Sequence, residues 1–467
     1  MAENYGFVIG YDKAAKLNYA VNSVTAIFND PQNQVLQKNK REMRIRRFTT
    51  RGPKNYRGRW NDGFGSAEMD YDTYYMLNDR EFSFHIDSLA EIQSVIDGGT
   101  PTLKAITEQY NKCNLIPEMD ALFLAKVASK AGVVKVAGTD AGYSVETGHI
   151  YETLTNIQAA LTDKGYKGKI ALYLRPTIYA GLKQELMQRN IAANPAVIAR
   201  QFNYEDLGVE GYEDVLKIDL PVVELDNFYL YETPSDRMNG KNYVLDGYSA
   251  GQENGGYIAA KNLSSYYDID ILAIPVDAAF TNVTHEIANL VCPGWIDPAS
   301  FEGDIALANK KLLGTLELQK ISGDNQLSDG FDVHERTVFD GDVFAQYADA
   351  VILVKGAVAA QTVAPVKATC VAAASALSGA KTTTSDIKVA FEDLNCSGTV
   401  YFASATTASA TVDASETLTV PTSGDDLRPY CSPTVTFGNT AGTSVISVYS
   451  DAGKTVKIGE FTVTSEG

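Results

Sequence analysis

Residue types able to do chemistry gather at only a few places in this 467-residue chain. His285-Glu286-Ile287-Ala288-Asn289 opens like the HExxH helix of zinc proteases, where two imidazoles one turn apart grip the metal and the glutamate activates water. Asn289 occupies the place of the second imidazole, and His85, His149 and His334 share no ligand spacing with His285. The segment therefore reads as an ordinary helix or loop. Glu118 and Asp120 are close in sequence, but carboxylates two apart on a helix point to different faces and cannot share a proton. Asp324, Asp329 and Asp332 crowd one polar segment and could gather a cation, against the plainer expectation of a solvated loop. The chain has no G-x-x-x-x-G-K-[ST] loop, no G-x-G-x-x-G after a strand, and no G-x-S-x-G elbow. The expectation is a protein that is not an enzyme and takes no cofactor or metal.

Charge is more informative. Between Lys38 and Arg59 stand ten basic residues and one acid, Glu42, in a chain of formal net charge -18. The arginines are Arg41, Arg44, Arg46, Arg47, Arg51, Arg57 and Arg59. The sign then reverses, and from Asp62 to Asp97 the acids include Asp70, Asp72 and Asp79, opposed only by Arg80. Adjacent blocks of opposite sign suit pairing within the segment or with copies of the same chain. The pI near 4.7 disfavours general nucleic-acid affinity, which needs a basic surface. No apolar run is long enough for a membrane span, and Met1 to Ala20 has no signal-peptide core. Cys113, Cys292, Cys370, Cys396 and Cys431 are widely spaced and odd in number, which suits free thiols in a reducing compartment. The 26 tyrosines offer anchors for subunit interfaces as well as core filling.

The elements that must position these residues follow from periodicity. Met1 to Asn39 reads as an extended arm. Arg41 to Ile86 reads as a long two-stranded excursion that closes on the alternating strand Glu81 to Ile86. Leu103 to Val127 carries helical spacing, interrupted near Pro117 and stopped by Gly132. Thr153 to Leu161, Lys169 to Leu174 and Thr177 to Arg189 alternate as in an α/β domain. Val215 to Tyr231 and Ile269 to Pro275 read as buried strands around a Tyr- and Gly-rich loop. Leu312 to Ile321 and Phe331 to Phe339 read as a long hairpin, and Ala348 to Val354 as a last apolar strand. From about Gln361 the chain turns to Thr, Ser, Ala and Val, with Arg428 its only arginine. Short alternating runs there describe a β-sandwich of about 100 residues.

Taken in this order, the elements resemble the major capsid protein of tailed bacteriophages, with the Hong Kong 97-type fold. Tyr110-Asn111-Lys112-Cys113-Asn114-Leu115-Ile116-Pro117-Glu118-Met119-Asp120 is similar to that family's spine-helix pattern, with its apolar-Pro-Glu-x-Asp run. Ala171 to Tyr179 resembles the strand-to-helix step of its A-domain, and Asp349 to Leu353 its closing strand. The resemblance implies an α+β fold with an N-arm at 1–39, an E-loop at 40–86 and a P-domain with the spine helix at 87–140. An A-domain at 141–300, a P-domain hairpin at 301–340, a closing strand at 341–356 and an Ig-like β-sandwich at 361–467 complete it. It implies a shell subunit that assembles with itself as pentamers and hexamers in the host cytoplasm, works with a separate scaffolding protein and a portal, and encloses DNA without reading its sequence. Arg41, Arg44, Arg46, Arg47, Arg51, Arg57, Arg59, Asp70, Asp72, Asp79, Asp324 and Asp329 are then the expected inter-subunit contacts. An encapsulin-like compartment shell and a surface adhesin with an Ig-like domain are the competing readings.

Overall fold

A computed structural model of the protein describes residues 22–29, 36–39, 42–50, 67–87, 106, 108–202, 216–292, 317–320, 330–356, 363–422 and 426–466. The chain divides into two units, one formed by Met1–Met238 with Ile269–Lys355 and the other by Asn239–Asp268 with Gly356–Gly467.

In the first unit, strands β1 (Leu36–Asn39), β2 (Glu42–Thr50) and β3 (Ala67–Tyr75) form an antiparallel three-stranded sheet. β4 (Asn78–Asp87) follows almost without a break, yet it belongs to another sheet and pairs with β15 (Gly330–Val343) over its whole length. The change of sheet falls at Met76–Leu77, where Met76 is buried and the Leu77 amide donates to Asp340 Oδ2 at 3.2 Å. The return strand of the excursion is thus 67–75, and Glu81 to Ile86, expected to close it, pairs elsewhere.

A single helical run then crosses this unit. A π-helical turn, Asn111–Leu115, leads directly into α1 (Ile116–Ser129). The widened turn sits just ahead of Pro117, whose ring would collide with a carbonyl in a regular α-turn, so the proline reshapes the helix rather than ending it. Beyond α1 come β5 (Val133–Val136), α2 (Ile150–Asp163), β6 (Ile170–Leu174), α3 (Pro176–Gln188), β7 (Asn194–Phe202), β8 (Leu216–Leu225) and β9 (Phe228–Glu232). The sequence read Val215 to Tyr231 as one stretch of strand. Asp226, with φ +53°, turns the chain so that β8 and β9 pair antiparallel. Asp tolerates this left-handed conformation better than most residues, and no glycine advertised the turn.

After β10 (Asn242–Leu245) and β11 (Gly256–Ala259), which belong to the second unit, the first unit resumes. It adds β12 (Ile269–Pro275), β13 (Ala279–Cys292), β14 (Glu317–Lys320) and β16 (Ile352–Lys355). A seven-stranded sheet has the order β5-β16-β12-β6-β9-β8-β7. β6 is buried at all five positions, as a central strand covered on both faces must be. Ile170, Leu172 and Leu174 share a core with Leu154 and Ile157 of α2 and Leu182 of α3, while Tyr173 on the opposite face stacks on Tyr231 and meets Phe28.

The four-stranded sheet has the order β14-β13-β15-β4. Among the described residues, the two runs expected to form a long hairpin, Leu312–Ile321 and Phe331–Phe339, do not pair with each other. β15 pairs antiparallel with β13, and β14 runs parallel to β13 on its other side. Alternation identifies a strand but carries no information about its partner, and β13, rich in Val, Ile, Phe and Thr, offers β15 a ladder from Ala279 to Val291. His285 and Glu286 lie on β13, so the HExx segment is strand, neither the helix nor the loop expected. Gly341 on β15 lets α1 approach closely, since a Cβ there would meet Phe123 at 2.5 Å and the Phe280 carbonyl at 2.6 Å.

The second unit is all-β. β17 (Ala368–Cys370), β20 (Val389–Phe391) and β24 (Tyr430–Cys431) form one sheet. β18 (Ser378–Ala380), β27 (Lys457–Glu466), β26 (Gly442–Tyr449), β21 (Thr399–Ser404) and β23 (Ser415–Thr417) form a second, while β19 (Thr384–Asp386), β25 (Thr434–Phe437) and β22 (Ala410–Val412) form a third. Phe391, Phe402, Phe437, Ile446 and Val463 fill their common core. The β10–β11 hairpin lies in the stretch read as loop. Tyr243, Leu245 and Ala260 from it bury themselves with Leu394 and Leu427. Asn262 Nδ2 donates to the Leu394 carbonyl at 2.7 Å, and the Lys261 amide to Asn395 Oδ1 at 3.1 Å.

Candidate functional site

Of the twelve charged positions expected to make contacts between subunits, Arg41, Arg51, Arg57, Arg59, Asp324 and Asp329 lie outside the described residues. The remaining six divide by sheet. Arg47 on β2 stands opposite Asp70 in the ladder with β3, Arg46 stands opposite Tyr71, and Arg44 opposite Thr73. With a period of two, Glu68, Asp70 and Asp72 hold positions on the face of Arg47, while Arg44 and Arg46 hold positions on the other face with Tyr71 and Tyr75. The hairpin therefore places two arginines on the face away from the acids of β3. Arg44 Nε lies 2.9 Å from Glu42 Oε1 on the same strand, and Asp70 Oδ1 accepts from the Tyr71 amide at 2.8 Å. Tyr75 is 61% exposed and Leu77 74%. Asp79, by contrast, is used within the chain, where Arg336 of β15 grips it with two bonds of 2.8 and 2.7 Å.

The most connected charges are two that the sequence noted only as an unsuitable acid–base pair. The first two turns of α1 are buried all round, from Ile116 to Ala121. A carboxylate on such a helix must find partners, because an unpaired buried charge is costly. Glu118, 3% exposed, binds Arg80 of β4, with Nε 2.7 Å from Oε1 and the second guanidinium nitrogen 3.2 Å from Oε2. Beside this pair, Phe82 of β4 stacks on Tyr110 at 3.7 Å between ring centres. Glu118 thereby fastens the base of the excursion to the helix.

Asp120 is completely buried and serves another part of the chain. Ser23 Oγ donates to its Oδ1 at 2.6 Å, and Thr25 Oγ1 does so at 2.7 Å. The Val24 and Thr25 amides donate at 3.2 and 3.3 Å, and an Arg237 guanidinium nitrogen at 2.8 Å. Directly after this cradle, Ala26, Ile27 and Phe28 are buried, and Phe28 packs on Phe123 of α1. Burial pushes the carboxyls of both Glu118 and Asp120 above their ordinary range. Arg80 pulls the first back, and Ser23, Arg237, Thr25 and the Val24 amide pull back the second. Further along, Lys126 meets Asp340 at 2.8 Å and Lys130 meets Asp342, which lashes the end of α1 to β15.

Carboxylates two apart thus do point to different neighbours, as their spacing requires, and each holds a different extended segment against one helix. Arg80, Arg237, Ser23 and Thr25 carried no sequence signal of their own. The available signal was two acids in an otherwise apolar helical turn. Among the described residues, no group of His, Cys, Asp and Glu is arranged to hold a metal, and no helix is long and apolar enough to cross a membrane.

No protein-family model matches the chain, and no curated protein matches it in sequence. Among solved structures, the capsid of the cyanophage P-SCSP1u is similar with 12% identity, covering 71% of this chain and 87% of its own, at a TM-score of 0.36. The asymmetric unit of the bacteriophage PhiM1 mature capsid is similar with 11% identity, covering 68% of this chain and 83% of its own, at a TM-score of 0.34. Domains 4 and 5 of the S-layer protein SbsC match with 21% identity, covering 28% of this chain and 63% of their own, at a TM-score of 0.16. No residue role passes from any of these to the present chain.

Proposed function

We propose that this chain is the major capsid protein of a tailed bacteriophage, a subunit of Hong Kong 97-type architecture that assembles with itself into an icosahedral shell around double-stranded DNA. One observation carries the reading. The strand that follows the three-stranded excursion β1-β2-β3 is fastened to a buried helix by Glu118 and Arg80, and that helix also holds an N-terminal segment through Asp120. An excursion whose following strand is tied to a packed core suits a subunit that overlaps its neighbour.

In this reading β2 and β3 are the E-loop, α1 the spine helix, and the sheet β13-β15-β4 the P-domain. The seven-stranded sheet with α2 and α3 is the A-domain, and the C-terminal strands are an Ig-like sandwich. Pentamers and hexamers form from the A- and P-domains, and a separate scaffolding protein and a portal guide assembly in the bacterial cytoplasm. Arg44 and Arg46, on the face away from the acids of β3, are the cations best placed to meet a neighbouring copy. Individual exposed ion pairs contribute only about 0–1 kcal/mol, so their role is to fix register and partner choice by repetition around a capsomer. The net charge of -18 keeps packaged DNA from adhering to the wall. Negative-stain microscopy of the purified chain, alone and with its co-expressed scaffold, tests the reading. Shells, tubes or capsomers support it, and a monodisperse monomer under both conditions sinks it.

A further inference from the structure

The second unit is entered twice from the first, once through residues 239–268 and once after Lys355. The first entry has a neck. Its last residue before the insertion, Met238, and its first after it, Ile269, are hydrogen-bonded to each other, with the Ile269 amide donating to the Met238 carbonyl at 3.0 Å. Arg175, between β6 and α3, grips both strands of the neck. Its Nε donates to the Ile269 carbonyl and a terminal nitrogen to the Met238 carbonyl, each at 3.0 Å. Met238 is completely buried, and its neighbour in sequence is Arg237, the only cation on Asp120 among the described residues.

From this arrangement we infer that Asp120 is a latch through which the seating of residues 23–25 holds the neck of the inserted segment closed. The buried carboxylate has two sets of partners. On one side it takes two hydroxyls and two amides from Ser23, Val24 and Thr25, and on the other it takes Arg237. Tyr173 supports the first side by donating its hydroxyl to the Val24 carbonyl at 3.1 Å. If residues 23–25 leave, the carboxylate is opened to water and its hold on Arg237 weakens, because a charge pair is stronger when water is excluded. The turn Pro234–Arg237, closed by the Arg237 amide on the Pro234 carbonyl, then loosens next to Met238. The coupling runs both ways, since two groups that share one site stabilise each other's occupancy. This goes beyond the shell reading and does not rest on it.

Hydrogen exchange measured on the full chain tests the latch. In the double variant Ser23→Ala with Thr25→Val, the amides of 23–29 and those of Met238 and Ile269 are expected to exchange about tenfold faster or more, while α2 is unchanged. Thr25→Ser alone, which keeps the hydroxyl, is expected to behave as the parent. Faster exchange confined to 23–29 overturns the inference. Should the double variant loosen everything, α2 included, Arg237→Met decides the matter. That change must speed exchange at both the neck and the Val24 and Thr25 amides, and a protein that keeps residues 23–25 protected without Arg237 has no latch.

Discussion

The β2–β3 hairpin and the helix α1 use the same ionic chemistry to opposite ends. On β2 and β3 the charges are dense, and the side chains of Asp70 and Tyr71 are exposed. On α1 there are two acids in two turns, both buried, each with a guanidinium partner. Water screens the first group, so those charges can be exchanged for a neighbour's at small cost. Water is excluded from the second, so those charges are committed, and removing one partner strands the other. Charge density in a sequence therefore marks a surface open to negotiation, while the isolated acid in an apolar helix marks a joint.

Substitutions can break that comparison, beginning with the joint. Asp120→Ala leaves Arg237 and two hydroxyls without their acceptor, and a loss of about 3–5 kcal/mol in urea unfolding is expected. A loss below about 1 kcal/mol would mean that the site is open to water. Arg80→Ala, which strands Glu118, is expected to cost about 2–4 kcal/mol and to release the stacking of Phe82 on Tyr110, readable in near-ultraviolet circular dichroism.

The second unit gives a pH-dependent contrast. Burial pushes the thiols of Cys396 and Cys431 up to about 12. A neutral acid whose folded value is raised contributes stability below its unfolded value and loses it as the pH climbs toward the folded one. Stability of this unit is thus expected to fall from about pH 9 to 12, as the thiols ionise more easily in the unfolded chain. Cys431→Ala should flatten the decline in a pH series of thermal melts, and an unchanged slope would show that the thiol takes no part. Smaller effects belong to the exposed charges. Arg336→Ala, at the half-exposed Asp79 pair, is expected to cost less than about 1 kcal/mol. Arg46→Glu is expected to change folding stability by less than about 0.5 kcal/mol and, if the proposed shell function holds, to block assembly in microscopy. It is a cleaner probe than Arg47→Glu, which would place a like charge opposite Asp70 and disturb the hairpin itself.

Local pattern carried the sequence far in places. The helix expected over Thr177 to Arg189 is α3, and the strand expected over Lys169 to Leu174 is β6, because a proline start and an unbroken apolar run are decided within the segment itself. The same reading failed wherever the answer lay in a distant partner. Glu81 to Ile86 alternates as a strand should, but its pairing with β15 depends on residues some 250 positions away. Leu312 to Phe339 looked like a hairpin because its two runs are neighbours in sequence, whereas β13 was already available to β15.

No reactive site is legible in the sequence, where Glu118 and Asp120 read only as an unsuitable acid–base pair. What the sequence determined by itself was their separation to different faces of one helix, a consequence of helical geometry alone. It also determined the reversal of charge along 38–97 and the abrupt change to a Thr- and Ser-rich composition near Gln361. Only the tertiary structure decided that Glu118 would hold the excursion and Asp120 the N-terminal segment with Arg237, and that residues 239–268 would join the C-terminal strands. The reason is physical. Backbone preference and periodicity act over a few residues, but the partner of a buried charge or of a strand edge is chosen by whichever distant segment can satisfy it once water has been removed.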